Sequence, residues 1–423
     1  MAYFYIRLGK VAKLVFLLPG IILLYLSFDS DSSTSLDNHG RQSASRWLMS
    51  LYESNRNYVF KSKKRDGTKQ TILLFGMKPH WKEFCKYPEM SHCKDLINFP
   101  RDVFCPTLNQ SITITFSESA EDIRGADVVL FTNVYNWMTP DMWTWIHGNR
   151  SDGQPWALVS LESPLYVPGM TPPEQYRDTT YTWVASYKTD SDLTLPYGYY
   201  ESYGENKPPE IDLKPFVTNK TKLIAWMSSN CGTLQWDRHR FVNDLKEIIQ
   251  VDKYGKCGEQ EVPWNDAKAV RATLGQYKFY LSLENSCCDD YVSEKFWRTL
   301  EMGVIPVVVG ASREQYTKIA PPNSFIHVDQ FASLAELAIH LTVISNDEDQ
   351  YLEYFKWRNQ GRIVVYSQEV QYVVPLMEKT HCSLFQHYMQ TNRSEDKTVE
   401  YMGKRWFGSC DSCGDKWIQS YKL

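Results

Sequence analysis

A carboxylate, an amide, a phenol, a second carboxylate and an ammonium fall close together in this 423-residue chain, as Glu284, Asn285, Tyr291, Glu294 and Lys295. The stretch that holds them, YKFYLSLENSCCDDYVSEKFWRTLEMGVIPVVVG from Tyr277 to Gly310, reads as an apolar strand, a polar loop, a helix opening on Glu-Lys and a second apolar strand. In such a βαβ unit the carboxyl edge of the strands and the N-termini of the helices favour negative charge, because free N–H groups and the helix dipole point there. All five residues fall at that edge. Lys295 is informative for a second reason: an ammonium in the first turn of a helix gains nothing from the dipole unless an anion joins it. Cations and helix N-termini can stabilise charge growing on a departing diphosphate without proton transfer.

A group transfer to a hydroxyl also needs a base, since the hydroxyl is a poor nucleophile until its proton is taken. In Trp156-Ala157-Leu158-Val159-Ser160-Leu161-Glu162-Ser163-Pro164, an apolar strand feeds Glu162 into a loop stopped by proline. A carboxylate exposed at a sheet edge and partly desolvated has its pKa raised toward that of a working base. The acidic Asp141, near the 133–141 loop, is the fallback.

The donor-edge stretch resembles the signature of the α1,3/α1,4-fucosyltransferases, glycosyltransferase family 10. In that signature an apolar strand ending in E-N precedes D-Y-[IV]-[ST]-E-K and a P-V-[VI]-x-G strand. The matching runs here end in Glu284-Asn285, Asp290-Tyr291-Val292-Ser293-Glu294-Lys295 and Val304 to Gly310. The resemblance implies a GT-B-like fold, two Rossmann-like doubly wound α/β domains facing a cleft. It implies that Arg238, in Arg238-His239-Arg240-Phe241 after Ser229-Asn230-Cys231-Gly232, contacts the donor phosphates, with Arg240 as the alternative. It further implies that Asn285 and Tyr291 touch the fucose or phosphates, that Glu294 accepts hydrogen bonds from sugar or ribose hydroxyls, and that Glu162 in S-x-E-S-P is the base. Asp190-Ser191-Asp192 has the D-x-D form of many Mn²⁺ sites, but it resembles the family's Y-R-x-D-S-D…P-Y-G segment, where it is not a metal site. Here Lys188 replaces that arginine. Of the vicinal Cys287-Cys288, only Cys288 matches cysteine-bearing relatives, as a structural half-cystine.

The implied reaction is inverting transfer of L-fucose from GDP-β-L-fucose to the 3-hydroxyl of GlcNAc on glycoprotein glycans. Glu162 would take the proton while Arg238 and Lys295 hold GDP. No metal is required, and Mn²⁺ would stimulate only by pairing with released GDP. The loop 133–138 differs from the H-H-R segment of Lewis-type enzymes, which favours an N-glycan core or antennal GlcNAc. Two other readings share these residues: an inactive lumenal glycan- or nucleotide-binding protein, and a protein O-fucosyltransferase.

The ends and composition supply the setting. Arg7, Lys10 and Lys13 precede an apolar run from Leu14 to Phe28, and acidic residues follow it. We expect a cytoplasmic tail over 1–13 and an uncleaved signal anchor over 14–28, with a cleaved signal peptide as its competitor. A polar stem over 29–66 follows, and everything beyond the anchor is lumenal. This predicts a single-pass type II protein of the Golgi membrane. Ten cysteines fit an oxidising compartment, as do sequons at Asn109, Asn149, Asn219 and Asn392. Cys410 and Cys413 read as part of a disulfide-tied tail, with Cys382 a plausible partner. A net charge of −4 without a long basic run argues against nucleic acid as a partner.

About 350 residues beyond the stem are too many for one core, so two domains are expected. Apolar runs at 71–76, 112–116, 126–131 and 156–161 predict a mainly parallel sheet in an acceptor-side domain over 67–205. The polar, doubly proline stretch 205–210 is the linker. A GDP-fucose-binding domain over 218–385 follows, with strands at 223–227, 251–254 and 325–328 and helices over 236–250 and 334–341. A Cys-containing tail occupies 386–423.

Overall fold

The computed structural model describes residues 15–18, 21–24, 70–76, 99–132, 138–167, 170–177, 179–205, 207–232, 235–263, 266–365, 381–390, 405–411 and 413. The chain forms two compact units, Met1–Asp66 and Gly67–Leu423.

In the first unit, β1 (Val15–Leu18) pairs antiparallel with β2 (Ile21–Leu24), Leu18 opposite Ile21. A membrane-spanning helix was expected over 14–28, and no helix among the described residues is long and apolar enough to cross a membrane. Pro19-Gly20 lies between the two strands, and such a pair is a turn signal that interrupts a helix. The expected tail 1–13 and stem 29–66 lie outside the described residues.

The second unit opens with β3 (Thr71–Phe75), β4 (Arg101–Cys105), β5 (Gln110–Ser117), β6 (Val128–Thr132), β7 (Trp156–Ser160), β8 (Trp183–Ser186) and β9 (Leu193–Thr194). They form a seven-stranded sheet in the order β4-β5-β3-β6-β7-β8-β9. Every pairing is parallel except β4 with β5. Thr71–Phe75 is buried along its whole length, as a parallel strand covered on both faces must be. Trp143 and Ile146, from the helix Pro140–His147, cover one face. Leu384, Phe385 and Tyr388, from a helix over 381–390, cover the other. Cys382 of that helix is bonded to Cys105 at the end of β4, not to the C-terminal cysteines as expected. The C-terminal helix thus belongs to the core of the first sheet, an arrangement that sequence distance hides.

The chain continues through β10 (Gly198–Ser202), β11 (Lys222–Met227), β12 (Val251–Tyr254), β13 (Tyr277–Leu283), β14 (Cys287–Cys288), β15 (Ile305–Val309), β16 (Ile326–His327), β17 (Gly361–Val365) and β18 (Cys410–Asp411). Five of these form an all-parallel sheet, β12-β11-β13-β15-β16. Two mainly parallel, doubly covered sheets are the α/β arrangement expected of a GT-B-like chain. The helix expected over 236–250 is Arg238–Lys246, begun by Asp237, whose side chain accepts from Arg240 N. The helix expected over 334–341 runs on to Asn346.

The two sheets share apolar packing. One continuous cluster contains Phe131 and Trp156 from the first and Phe296, Trp297 and Val308 from the second. β10 leaves the first sheet and pairs antiparallel with β17. Gly198 makes that route possible: a Cβ there would lie 2.6 Å from Trp297 Cγ and 2.9 Å from Val364 O. Trp297 sits on the helix Glu294–Glu301, so the glycine lets β10 press against the element that carries Lys295.

Candidate active site

The second sheet begins at β11, adds β12 on one side and β13 on the other. Its switch point therefore lies between the carboxyl ends of β11 and β13, where α/β sheets bind ligands. The loops leaving those ends are 228–237 and 284–293; the second holds Glu284, Asn285 and Tyr291, and the two lead into the helices that open at Arg238 and Glu294.

Ser293 caps the helix Glu294–Glu301. Lys295 Nζ lies 2.8 Å from Ser293 Oγ, 3.2 Å from Glu284 Oε2 and 3.4 Å from Glu294 Oε1. Burial alone would lower the pKa of Lys295, but Glu284, Glu294 and Glu162 outweigh burial and the repulsion of Arg238, so it stands above its ordinary value. Burial pushes Glu294 up, while Lys295 and Arg298 overcome this and hold it below the usual carboxylate range. The sequence places Lys295 correctly at the helix opening. It gives no sign that three carboxylates surround it.

Arg238 is buried at the start of its helix, where Nη1 donates to Leu283 O at 3.2 Å and Nη2 to Asn230 O at 3.4 Å. Burial lowers its pKa, with Glu284 the leading opposing charge. Arg240, the alternative, is exposed and paired with Asp244 at 3.6 Å. Of the two, Arg238 is the one that meets the end of β13. The loop it contacts is tied down by the Cys231–Cys257 disulfide.

Glu162 comes from the first sheet. Ser160, the last residue of β7, donates from Oγ to Glu162 O at 2.8 Å and accepts from Glu162 N at 3.1 Å, fixing the turn that presents the side chain. Tyr197 OH holds the preceding Leu161 O at 2.5 Å. The carboxylate then reaches the second sheet: Tyr291 OH donates to Oε2 at 2.9 Å, and Asn285 Nδ2 stands 3.5 Å from the same oxygen. Burial raises the pKa of Glu162, and the opposing pull of Lys295 and of the Tyr291 and Asn285 hydrogen bonds does not cancel that rise. A half-buried carboxylate of raised pKa facing a cation is a general base in waiting.

Tyr291 and Asn285, expected to touch the donor, both reach Glu162. Tyr291 is 1% exposed, packs tilted against Tyr187 and edge-on to Tyr197 with ring centroids at 4.8 and 6.4 Å, and turns its hydroxyl to Glu162. From across the junction the two side chains place a hydroxyl and an amide on one oxygen of Glu162. Ser286 Oγ joins the same seam, 2.6 Å from Ser163 Oγ and 3.0 Å from Asn285 Oδ1. Asp290 accepts from Thr189 N and Oγ1 at 3.0 and 2.6 Å.

No group of three or more metal-ligating side chains occurs among the described residues. In the D-x-D run, Asp192 Oδ2 accepts from Val184 N at 2.9 Å while Asp190 faces the buried Lys188 at 3.7 Å, so the two carboxylates serve separate partners. Cys287 and Cys288 are bonded to Cys413 and Cys410, which clamps the tail onto the loop after β13 through β14 and β18. The sequence left Cys287 without a partner and linked the tail to Cys382. Asp141 is exposed in the first turn of its helix. Asn109 and Asn219 are exposed, whereas Asn149 is half-buried and donates to Trp145 O at 3.0 Å. Asn392 lies outside the described residues.

The geometry brings a cationic helix opening at the switch point of one sheet to a carboxylate from the other. Residues 67–198 match the family described as "Fucosyltransferase, N-terminal", and 217–406 match "Glycosyltransferase family 10 (fucosyltransferase) C-term". The chain belongs to this fucosyltransferase family. It is 32% identical over 306 residues to "Glycoprotein 3-alpha-L-fucosyltransferase A" of Drosophila melanogaster, covering 71% of this chain and 55% of that protein. It is 34% identical to "Alpha-(1,3)-fucosyltransferase fut-6" of Caenorhabditis elegans, covering 62% of this chain and 66% of the relative. With "Alpha-(1,3)-fucosyltransferase 4" of Bos taurus it shares 38% identity, over 52% and 54% of the two chains. The chain therefore spans between half and two thirds of the length of these curated relatives. A solved α1,3-fucosyltransferase structure aligns with a TM-score of 0.48 at 16% identity, over 78% of this chain and 93% of its own.

Proposed function

We propose that this protein is an inverting α1,3-fucosyltransferase using GDP-β-L-fucose. The observation that carries the reading is the meeting of a raised-pKa carboxylate from one sheet with a cationic helix N-terminus from the other. Lys295 and Arg238 hold the diphosphate, with the positive end of the helix Glu294–Glu301 behind them. The acceptor hydroxyl oxygen attacks fucose C1 from the face opposite GDP. As that bond forms, the C1–O bond to phosphate breaks, its electron pair leaves with GDP, and the hydroxyl proton passes to Glu162. Tyr291 and Asn285 aim Glu162 at that proton. The two cations carry the leaving-group charge, and Mn²⁺ would act only on released GDP.

The finer assignments are part of the same proposal. The acceptor is the 3-hydroxyl of GlcNAc on a glycoprotein glycan, supported by the name of the Drosophila relative and by the 133–138 loop. The setting is the Golgi lumen behind a type II anchor, supported by ten cysteines, by two exposed sequons and by basic residues ahead of an apolar run.

Glu162→Gln tests the reading. It keeps shape and hydrogen-bonding reach but cannot take a proton, so turnover should fall roughly 10²–10⁴-fold. GDP affinity should hold or improve, since a negative charge leaves the field of Lys295. Near-wild-type turnover at saturating acceptor would remove Glu162 as the base.

A further inference from the structure

Glu284 is an acidic side chain at 0% exposure, and the mechanism above gives it no task. Burying a carboxylate is costly unless each oxygen is satisfied. Here both are: Oε1 accepts from Ser293 N at 2.8 Å, and Oε2 accepts from Ser293 Oγ at 2.7 Å and from Lys295 Nζ at 3.2 Å. Space for its stem comes from Gly310 at the exit of β15, where a Cβ would stand 2.8 Å from Glu284 Cγ and 3.2 Å from its Cβ. The main chain at the same point is equally committed. Glu284 N donates to Val309 O at 2.9 Å, Trp236 Nε1 donates to Glu284 O at 2.9 Å, and Arg238 reaches the adjacent Leu283 O.

We propose that Glu284 is a positioning residue for the donor: from the end of β13 it fixes Lys295 Nζ against the capped helix opening and thereby sets where the diphosphate sits. The inference rests on reading the site as a GDP-fucose cleft. A buried ion pair kept only for stability has little advantage over apolar packing. This one leaves the Lys295 side chain 22% exposed while its partner is fully buried, so of the pair the lysine is the member within reach of a ligand. Glu284 also lies within the field of both cations, which repel each other. The groups facing Lys295 are Glu284 from β13, Glu294 from its own helix, Glu162 from the loop after β7, Arg238 from the helix Arg238–Lys246 and the Tyr280 phenol. Removing the Glu284 charge leaves burial and Arg238 opposed by two carboxylates in place of three.

The test is calorimetric titration of the full chain with GDP across neutral to alkaline pH. Wild type should bind. Glu284→Gln should bind roughly tenfold more weakly or worse, and its alkaline loss of binding should move to lower pH. In a Lys295→Met background, Glu284→Gln should cost nothing further, because the effect passes through Lys295. Glu284→Asp, which keeps the charge on a shorter stem, should weaken GDP less than the amide and leave the alkaline limb in place; it is the variant to read if the amide fails to fold. Unchanged GDP affinity in Glu284→Gln, an equal penalty in the Lys295→Met background, or wild-type affinity in Glu284→Asp together with an unmoved limb in the amide would each overturn the assignment while wild type still binds GDP. A wild-type chain that does not bind GDP overturns the fucosyltransferase reading, and this inference with it.

Discussion

Replacing Tyr291 by Phe removes one oxygen from the seam and leaves the ring. That oxygen donates to Glu162 Oε2 at 2.9 Å, and the ring packs on Tyr187 and Tyr197 independently of it. A hydrogen bond to a charged group contributes roughly 1.5–3 kcal/mol, and each 1.36 kcal/mol is tenfold in rate. If the bond aims the base, kcat/KM should drop by about 10- to 150-fold. The pH profile gives a second readout. The Tyr291 bond favours ionised Glu162, so losing it lets burial raise the pKa further, the base stays protonated to higher pH, and the acid limb of kcat/KM moves up. Initial rates with GDP-fucose and a GlcNAc-terminated glycan across pH, with melting temperature as a folding control, read both effects. An acid limb that stays in place with a wild-type rate would refute the orienting role. A collapse of GDP affinity with the limb unmoved would instead make Tyr291 a donor ligand, as the family resemblance implied.

Lys295→Ala should weaken GDP binding by about 10- to 150-fold in calorimetry, through loss of a charge-assisted contact; undiminished affinity would take the phosphate role from Lys295. Converting Cys231 and Cys257 together to Ser opens a loop with a sequence separation of 26. Urea unfolding should show a loss of roughly 3–4 kcal/mol, with GDP affinity also reduced because Asn230 O no longer sits fixed beneath Arg238. Replacing residues 1–66 by a cleavable signal peptide should give a secreted, active enzyme, since the second compact unit begins at Gly67; an intracellular aggregate with no activity in the medium would contradict this.

What the sequence discloses and what it hides follow from how far each contact reaches. β3, β6, β7 and β13 are apolar runs whose burial shows in composition, and the Ser-Glu-Lys opening of the helix after β13 is a local signal. Lys295 and Glu162 were legible because each stands where a strand or helix ends, a property of neighbouring residues alone. The strands β8 and β17 were not, being only four and five residues long. The cysteine pairing was not, because Cys105 and Cys382 are 277 residues apart. The same holds for the chemistry. The hydrogen bond from Tyr291 to a carboxylate 129 positions away arises only when the sheets meet. Glu284 sits at the end of a strand in the sequence, but its total burial, the room left by Gly310 and its contact with an ammonium eleven positions ahead appear only in the fold. A base and a cation can be read one residue at a time. What keeps them aimed and charged is a balance among groups from four separate elements, the loops after β7 and β13 and the helices that start at Arg238 and Glu294, and that balance exists only in the folded chain.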